Sequence, residues 1–374
     1  MPTQFGSPIY EGHQAGFDAS VVAILRAAGA LIFGKTTTTE FTVRNSGPDT
    51  TNPHDANRTP GGSSCRSAAA VADYEVPLSL GSQTGDSVIR PAAFTGDFSM
   101  KPTYNAISLE GQKAFAPTFD TLGFFARSVE DLQLLADVFA LTDDSTPTDI
   151  PLKGLSVALM KTPMWPQAGP ITVAAMEKAA AILQNRGAQV AEVSLPPAAN
   201  DLVVLDRVQK VILGGEAHAS FLREYRVGKA NLDGEIRGLV ENVTNYTKKE
   251  RMEAFDAYAR MRDMVNKLAE NYSVILAPSA VDEAPLGLGD MGTATFNTLW
   301  TASLFFSLYW YLFHLSLTPQ QGFHMPIVQI PAFVGVNGMP VGISLVTPRF
   351  HDQHLLRVSK MLGEALMAEG GWKV

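Results

Sequence analysis

Two stretches, GGSSCRSAAAVA at 61–72 and LGSQTGDSVIRPAAF at 80–94, decide how this chain is read. Each is a Gly/Ser-rich turn that runs into a regular element. In such a turn the main-chain N–H groups are unencumbered by side chains and can converge on an anion or a developing oxyanion, while a serine hydroxyl can act as nucleophile. The same residues also suit two packing turns whose serines cap helices, because Ser is a favoured N-cap. On the turns alone, both readings stand.

Outward from the turns, the apolar periodicity switches repeatedly between 3.6 and 2. Helices are predicted from Asp18, as N-cap, to a stop at Gly29; at 64–72; at 128–140, with Ser128 and Asp131 as a capping pair; at 171–186; and at 248–270. Short apolar strands are predicted at 30–33, 155–160, 188–195, 273–278, 326–333 and 339–346. This alternation predicts an α/β fold with a mixed or parallel central sheet. No internal repeat or Pro/Ser-rich linker divides the 374 residues, so one domain over 1–374 is expected. The polar loop 45–62 leads into the first turn, and long loops of this kind often carry function.

Composition narrows the chemistry. With 29 Lys+Arg against 37 Asp+Glu, a net charge of -8 and no basic run, a nucleic-acid partner is not expected, since that affinity rests on cationic contacts. A hydrophobic share of 46% and a charged share of 18% exclude disorder as the main state. The single cysteine, Cys65, excludes an intrachain disulfide and a Cys-rich zinc site and fits a reducing compartment. Residues 1–15 hold no basic segment followed by an apolar one, so a cytoplasmic location is expected. The seven histidines form no ligand-like cluster; His351 and His354 have chelating spacing but no third ligand, and exposure is expected for both. The segment 29–36, GALIFGKT, satisfies the phosphate-loop expression GxxxxGK[ST], yet a helix precedes it and a strand fills its middle, which is the wrong order. The sequence GDSVI lacks the G-x-S-x-G elbow of the α/β-hydrolases.

Read with FGSPIYEGH, DASVVAILRAAGALIFGKT, NPHDANRTPGGSS, SQTGDSVIRPAAF, MKPTY and MPIVQIPAFVGVNGMPVGISLV, in that order, the two turns resemble the amidase signature family. The resemblance covers 3–141 and resumes over 296–356. It implies an α/β/α fold around a mixed sheet, and hydrolysis of amide or ester bonds by a Ser, cis-Ser, Lys triad without metal or organic cofactor. On that resemblance Ser87 is the nucleophile that forms the acyl-enzyme, and Ser63 is the bridging serine that follows a cis peptide bond. Thr84, Gly85, Asp86 and Ser87 supply the main-chain donors of the oxyanion hole, and Thr42 lines the substrate pocket. The implied partner is a small-molecule amide, and a homodimer is left open. An amidase subunit working on charged tRNA would carry the same motifs but fits an acidic surface poorly.

The pattern also breaks. The resemblance implies a catalytic lysine in a Lys-Asp dipeptide ahead of the segment that begins at Met1, and Lys35 and Lys101 fall at other family positions. Met1 is therefore expected to be an internal methionine of a longer reading frame. The chain as it stands is expected to be nearly inactive, and the competing reading is a scaffold that binds ligand without turnover. Cys65 and Arg66 replace the family's usual Gly-Gly, and Asp86 replaces a Gly. A carboxylate beside an oxyanion opposes it, because unit charges ~4 Å apart at an effective ε of ~20 interact by ~4 kcal/mol. An Arg66–Asp86 ion pair is therefore expected, the alternative being that both face solvent. Cys65 is expected to be a small buried thiol. Finally, the run 299–317 carries no acidic and no Lys or Arg side chain, and 303–323 is surplus to the family pattern. Translated non-coding sequence, a membrane-associating hairpin and a buried helix are the three readings. The first is preferred because an exposed apolar patch of that size invites aggregation.

Overall fold

In the computed structural model, which describes residues 1–43, 50–144, 151–301 and 323–374, apolar alternation along the strands separates two cores. The strands are β1 (Leu78–Gln83), β2 (Phe98–Lys101), β3 (Thr121–Ala126), β4 (Ser156–Met160), β5 (Gln189–Val193), β6 (Val274–Pro278), β7 (Ile327–Val334) and β8 (Pro340–Val346). They form one sheet in the order β1-β3-β2-β7-β8-β6-β4-β5. Strands β6, β4 and β5 pair in parallel and the remaining neighbours are antiparallel, so the sheet is mixed, as expected.

The helices are α1 (Ser20–Ala27), α2 (Cys65–Ala72), α3 (Ile89–Thr95), α4 (Val129–Val138), α5 (Pro170–Asn185), α6 (Leu202–Ser220), α7 (Leu222–Gly228), α8 (Gly234–Glu241), α9 (Lys248–Ala269), α10 (Thr298–Thr301) and α11 (Asp352–Gly370). Side chains of a strand point alternately to its two faces. Val157 and Leu159 of β4, with Val274 and Leu276 of β6, join one core with α1, α4, α5 and α11; Ala158, Met160, Ile275 and Ala277 join the other with α2, α3, α6, α8 and α9. Leu355, Val358, Leu362 and Leu366 repeat at helical spacing and bury one stripe of α11 against the sheet. The result is an α/β/α sandwich.

Two helix starts follow the sequence and one does not. The Ser128 hydroxyl accepts from Asp131 N at 3.0 Å, and Thr247 with Glu250 forms a full capping box on α9. Asp18 does not cap α1, whose N-cap is Ala19; its carboxylate is engaged instead by Arg26 Nε at 2.8 Å. The segment 30–33 is not a strand, with Leu31 and Phe33 exposed to 88% and 77%, because no described strand lies alongside to share a ladder. Of the apolar run 299–317, Leu299, Trp300 and Thr301 are described, and all are buried. The segment 303–323 lies outside the described residues apart from Phe323. No described helix is long and apolar enough to cross a membrane.

Candidate active site

The loop that leads into the first turn is held at several points before it reaches Ser63. The Asn52 amide donates to Phe94 O at 2.7 Å and to Thr59 O at 3.3 Å, and its Oδ1 accepts from His54 N. Arg58 Nη1 donates to Ala284 O at 2.6 Å. Gly61 has φ +82°, and a Cβ on Gly62 would lie 1.9 Å from Met291 Sδ, so this turn admits side chains at neither position. The Gly62–Ser63 peptide bond is cis. Ser63 and Ser64 are buried, and α2 starts one residue later. Ser64 occupies the N-cap of α2 without capping it; its hydroxyl bridges to Ser82 N and Ser82 O, each at 3.4 Å.

The second turn is fixed by its first residue. Gln83, at the end of β1, is fully buried; its Oε1 accepts from Val88 N at 2.7 Å and Ile89 N at 2.9 Å, and its Nε2 donates to the Thr301 hydroxyl at 2.6 Å. The start of α3 is therefore capped by a glutamine, and the Ser87 hydroxyl has no hydrogen-bond partner among the described residues. Thr84 donates to Asp120 Oδ1 at 2.6 Å, while Asp120 Oδ2 accepts from Phe115 N and Ala116 N. Burial pushes the Asp120 carboxyl up to about 6 against those donors. Gly85 and Asp86 are buried, Ser87 is half-buried, and the main-chain N–H groups of Gly85, Asp86 and Ser87 find no acceptor among the described residues. Ser64 N donates to Ser87 O at 3.2 Å, which joins the two turns.

The Arg66–Asp86 ion pair does not form. Arg66 is exposed on α2, where Cys65 and Ser67 on either side of it face inward, whereas Asp86 is 1% exposed. Asp86 faces Arg90, the Asn297 side chain and the Thr295 main chain; burial pushes its carboxyl up to about 7, with Arg90 pulling the other way. The sequence did contain the signal, since Asp86 and Arg90 stand at i, i+4, the spacing of neighbours on a helical turn. Arg90 N in fact donates to Asp86 O at 3.1 Å. Cys65 is a free, buried thiol whose pKa burial raises.

Thr42, half-buried with φ +61°, lines a cavity of about 270 Å³ together with Ser82, Thr84, Tyr104, Lys113 and Asp120. The structure thus brings Thr42 and Thr84 together, while Ser63 and Ser87 do not line this cavity. Tyr104 and Lys113 were not singled out in the sequence. Lys113 is neutralised by Glu224 at 2.9 Å and also donates to Ser220 O. Tyr104 stacks on His324, 3.9 Å between centroids; burial and the nearby Arg262 push that imidazole down to about 3. Neutral His324 donates from Nε2 to Thr118 O, which leaves Nδ1 to accept from Arg262. His351 and His354 are half-buried rather than exposed, each bonded to a carbonyl.

No described lysine bonds the hydroxyl of Ser63 or Ser87. Lys101 is fully buried, and its Nζ donates to Pro102 O at 2.8 Å and Met325 O at 2.7 Å; burial pushes it down to about 7. Lys35 is exposed against the Thr3 hydroxyl.

The amidase family model matches residues 1–356, and the chain belongs to that family. A glutamyl-tRNA(Gln) amidotransferase subunit of Symbiobacterium thermophilum is 32% identical over 96% of this chain and 78% of its own length. A solved amidase structure superposes with a TM-score of 0.79 at 26% identity, covering 98% of this chain and 81% of the other. The corresponding glutamyl-tRNA(Gln) amidotransferase subunit of Thermotoga maritima superposes with a TM-score of 0.74 at 26% identity, covering 97% and 79%. These relatives carry the α/β/α fold described above, and the family is one of amide C–N hydrolases and amidotransferases.

Proposed function

We propose that this chain acts on amide C–N bonds through an acyl-enzyme on Ser87. The observation that supports this most directly is a half-exposed serine at the end of a buried turn whose successive N–H groups, at Gly85, Asp86 and Ser87, have no acceptor among the described residues. An amide carbonyl carbon attacked by Ser87 Oγ would turn its oxygen toward those donors, and removal of one such donor typically costs ~10²-fold in rate. The Oγ–C bond forms as the serine proton leaves, the amine departs carrying a proton, and water then cleaves the ester. Ser63, whose neighbour Ser64 donates from N to Ser87 O, is in this reading the relay for that proton. The cavity lined by Thr42 and Thr84 would take the unreactive part of a small amide.

A second reading has its own support. A serine proton needs a neutral amine to receive it in this type of triad, and no described lysine contacts either hydroxyl. Turnover by this chain is therefore proposed to be slow, and a scaffold that binds amides without cleaving them is the alternative. A fluorophosphonate probe and a panel of aliphatic and aryl amides separate the two. Labelling that maps to Ser87, is lost in Ser87→Ala, and is slowed about 100-fold in Ser63→Ala supports the hydrolase. Calorimetric binding of amides with neither labelling nor hydrolysis would replace it with the scaffold.

A further inference from the structure

Ser63 stands between two residues that are each tied to the Ser87 turn. On its C-terminal side, Ser64 N donates to Ser87 O at 3.2 Å. On its N-terminal side, Gly62 O accepts from Arg90 Nε at 3.2 Å and from Arg90 Nη2 at 2.7 Å. Arg90 belongs to the first turn of α3, three residues beyond Ser87, and is 4% exposed. Its third donor, Nη1, reaches Gly292 O, which closes the loop carrying Met291 over Gly62. The carboxyls of Asp86, on the other side of Ser87, and of Asp290 act on the Arg90 charge through space. A guanidinium holds several acceptors in one rigid plane, which the single point charge of a lysine does not.

We propose that Arg90 is a positioning residue that sets the distance and orientation of Ser63 relative to Ser87, by gripping the carbonyl that precedes Ser63 from within the turn that carries Ser87. The catalytic part of this inference rests on Ser87 being the nucleophile; the mechanical part does not. Without the grip, the carbonyl before Ser63 loses its tie to the Ser87 turn, and the Ser64 N to Ser87 O bond is left as the described link between the two turns at this point. Misplacement of a reacting group by ~1 Å typically costs about 100-fold in rate.

Two measurements on the full chain test this. The rate of Ser87 labelling by a fluorophosphonate is expected to fall about 100-fold in Arg90→Met. A smaller fall is expected in Arg90→Lys, and partial recovery in Arg90→Ala on adding guanidinium. Amide hydrogen exchange is expected to quicken across residues 61–68 in Arg90→Met while β7 and β8 keep wild-type rates. The double variant Asp86→Asn/Arg90→Met, which leaves no unpaired buried charge, is expected to show the same local loosening, so a folding defect caused by an orphaned carboxylate is recognised as such. Wild-type exchange across 61–68 in the variants, or equal loosening everywhere, overturns the assignment, as does wild-type labelling in Arg90→Met. If the wild-type chain does not label but the exchange pattern is as expected, the nucleophile reading fails and the Arg90 joint stands.

Discussion

A single proton on Asp86 decides whether the turn before Ser87 carries a buried negative charge. Its carboxyl, fully buried, keeps that proton up to about pH 7 in the folded chain, whereas in the unfolded chain it is lost near ~3.9. Between those values the folded state holds a proton that the unfolded state has released, so this group's contribution to stability falls as pH rises through the window. That is the reverse of a carboxylate stabilised by a surface partner. Asp86→Asn removes the titration. Its urea midpoint is expected to gain on that of wild type between about pH 4.5 and about pH 7.5, and a gap that stays constant would count against the buried, raised carboxyl. At this scale the two Gly/Ser turns were legible because they are local chemistry, with small residues, main-chain donors and a hydroxyl, whereas the roles given to Ser63 and Ser87 rest on the family resemblance. The partner of Asp86 was misread because proximity was judged from turn to turn, toward Arg66, when the relevant neighbour was one helical turn further along the same segment.

The seven-residue helix α3 depends on a glutamine that no capping rule would nominate. Gln83 satisfies two of the N–H groups at its start and ties them to Thr301. Gln83→Leu orphans both donors inside the protein, and the expected loss is about 2 kcal/mol, read as a lowered urea midpoint with an unchanged m-value. Among the longer elements, α5, α9 and the strands β4, β6, β7 and β8 lie within about two residues of where their apolar spacing put them, whereas the 19-residue α6 was not predicted. The misses have physical reasons. LSLGSQ in β1 is half polar and contains Gly81, FSMK in β2 is only four residues long, and α3 holds Pro91 in its first turn, so none shows a clean period. Segment 30–33 shows the pattern of a strand, but a strand is defined by its neighbour, and local sequence does not supply one.

Over the whole molecule, the acidic balance and the family relationship point in different directions. The relatives named as glutamyl-tRNA(Gln) amidotransferase subunits belong to the same family, yet this chain carries a net charge of -8. Phosphate-backbone binding draws its free energy from cation contacts that release counterions. The chain alone is expected to leave the mobility of bulk tRNA unchanged at physiological salt; a retarded band that disappears as salt is raised would overturn this. The fold class was legible from alternation alone, but the strand order was not, because it is set by pairings distant in sequence.

The placement of β7 and β8 at the centre of the sheet, between β2 and β6, sets a schedule for biosynthesis. Until residues 327–346 have left the ribosome, two half-built sheets wait with raw inner edges, each able to pair with another nascent chain. Non-local pairing of this kind folds slowly and exposes the polypeptide to aggregation. Production in a host should therefore be limited less by the strength of the finished fold than by how well chaperones shelter those margins while the ribosome completes the last fifty residues or so.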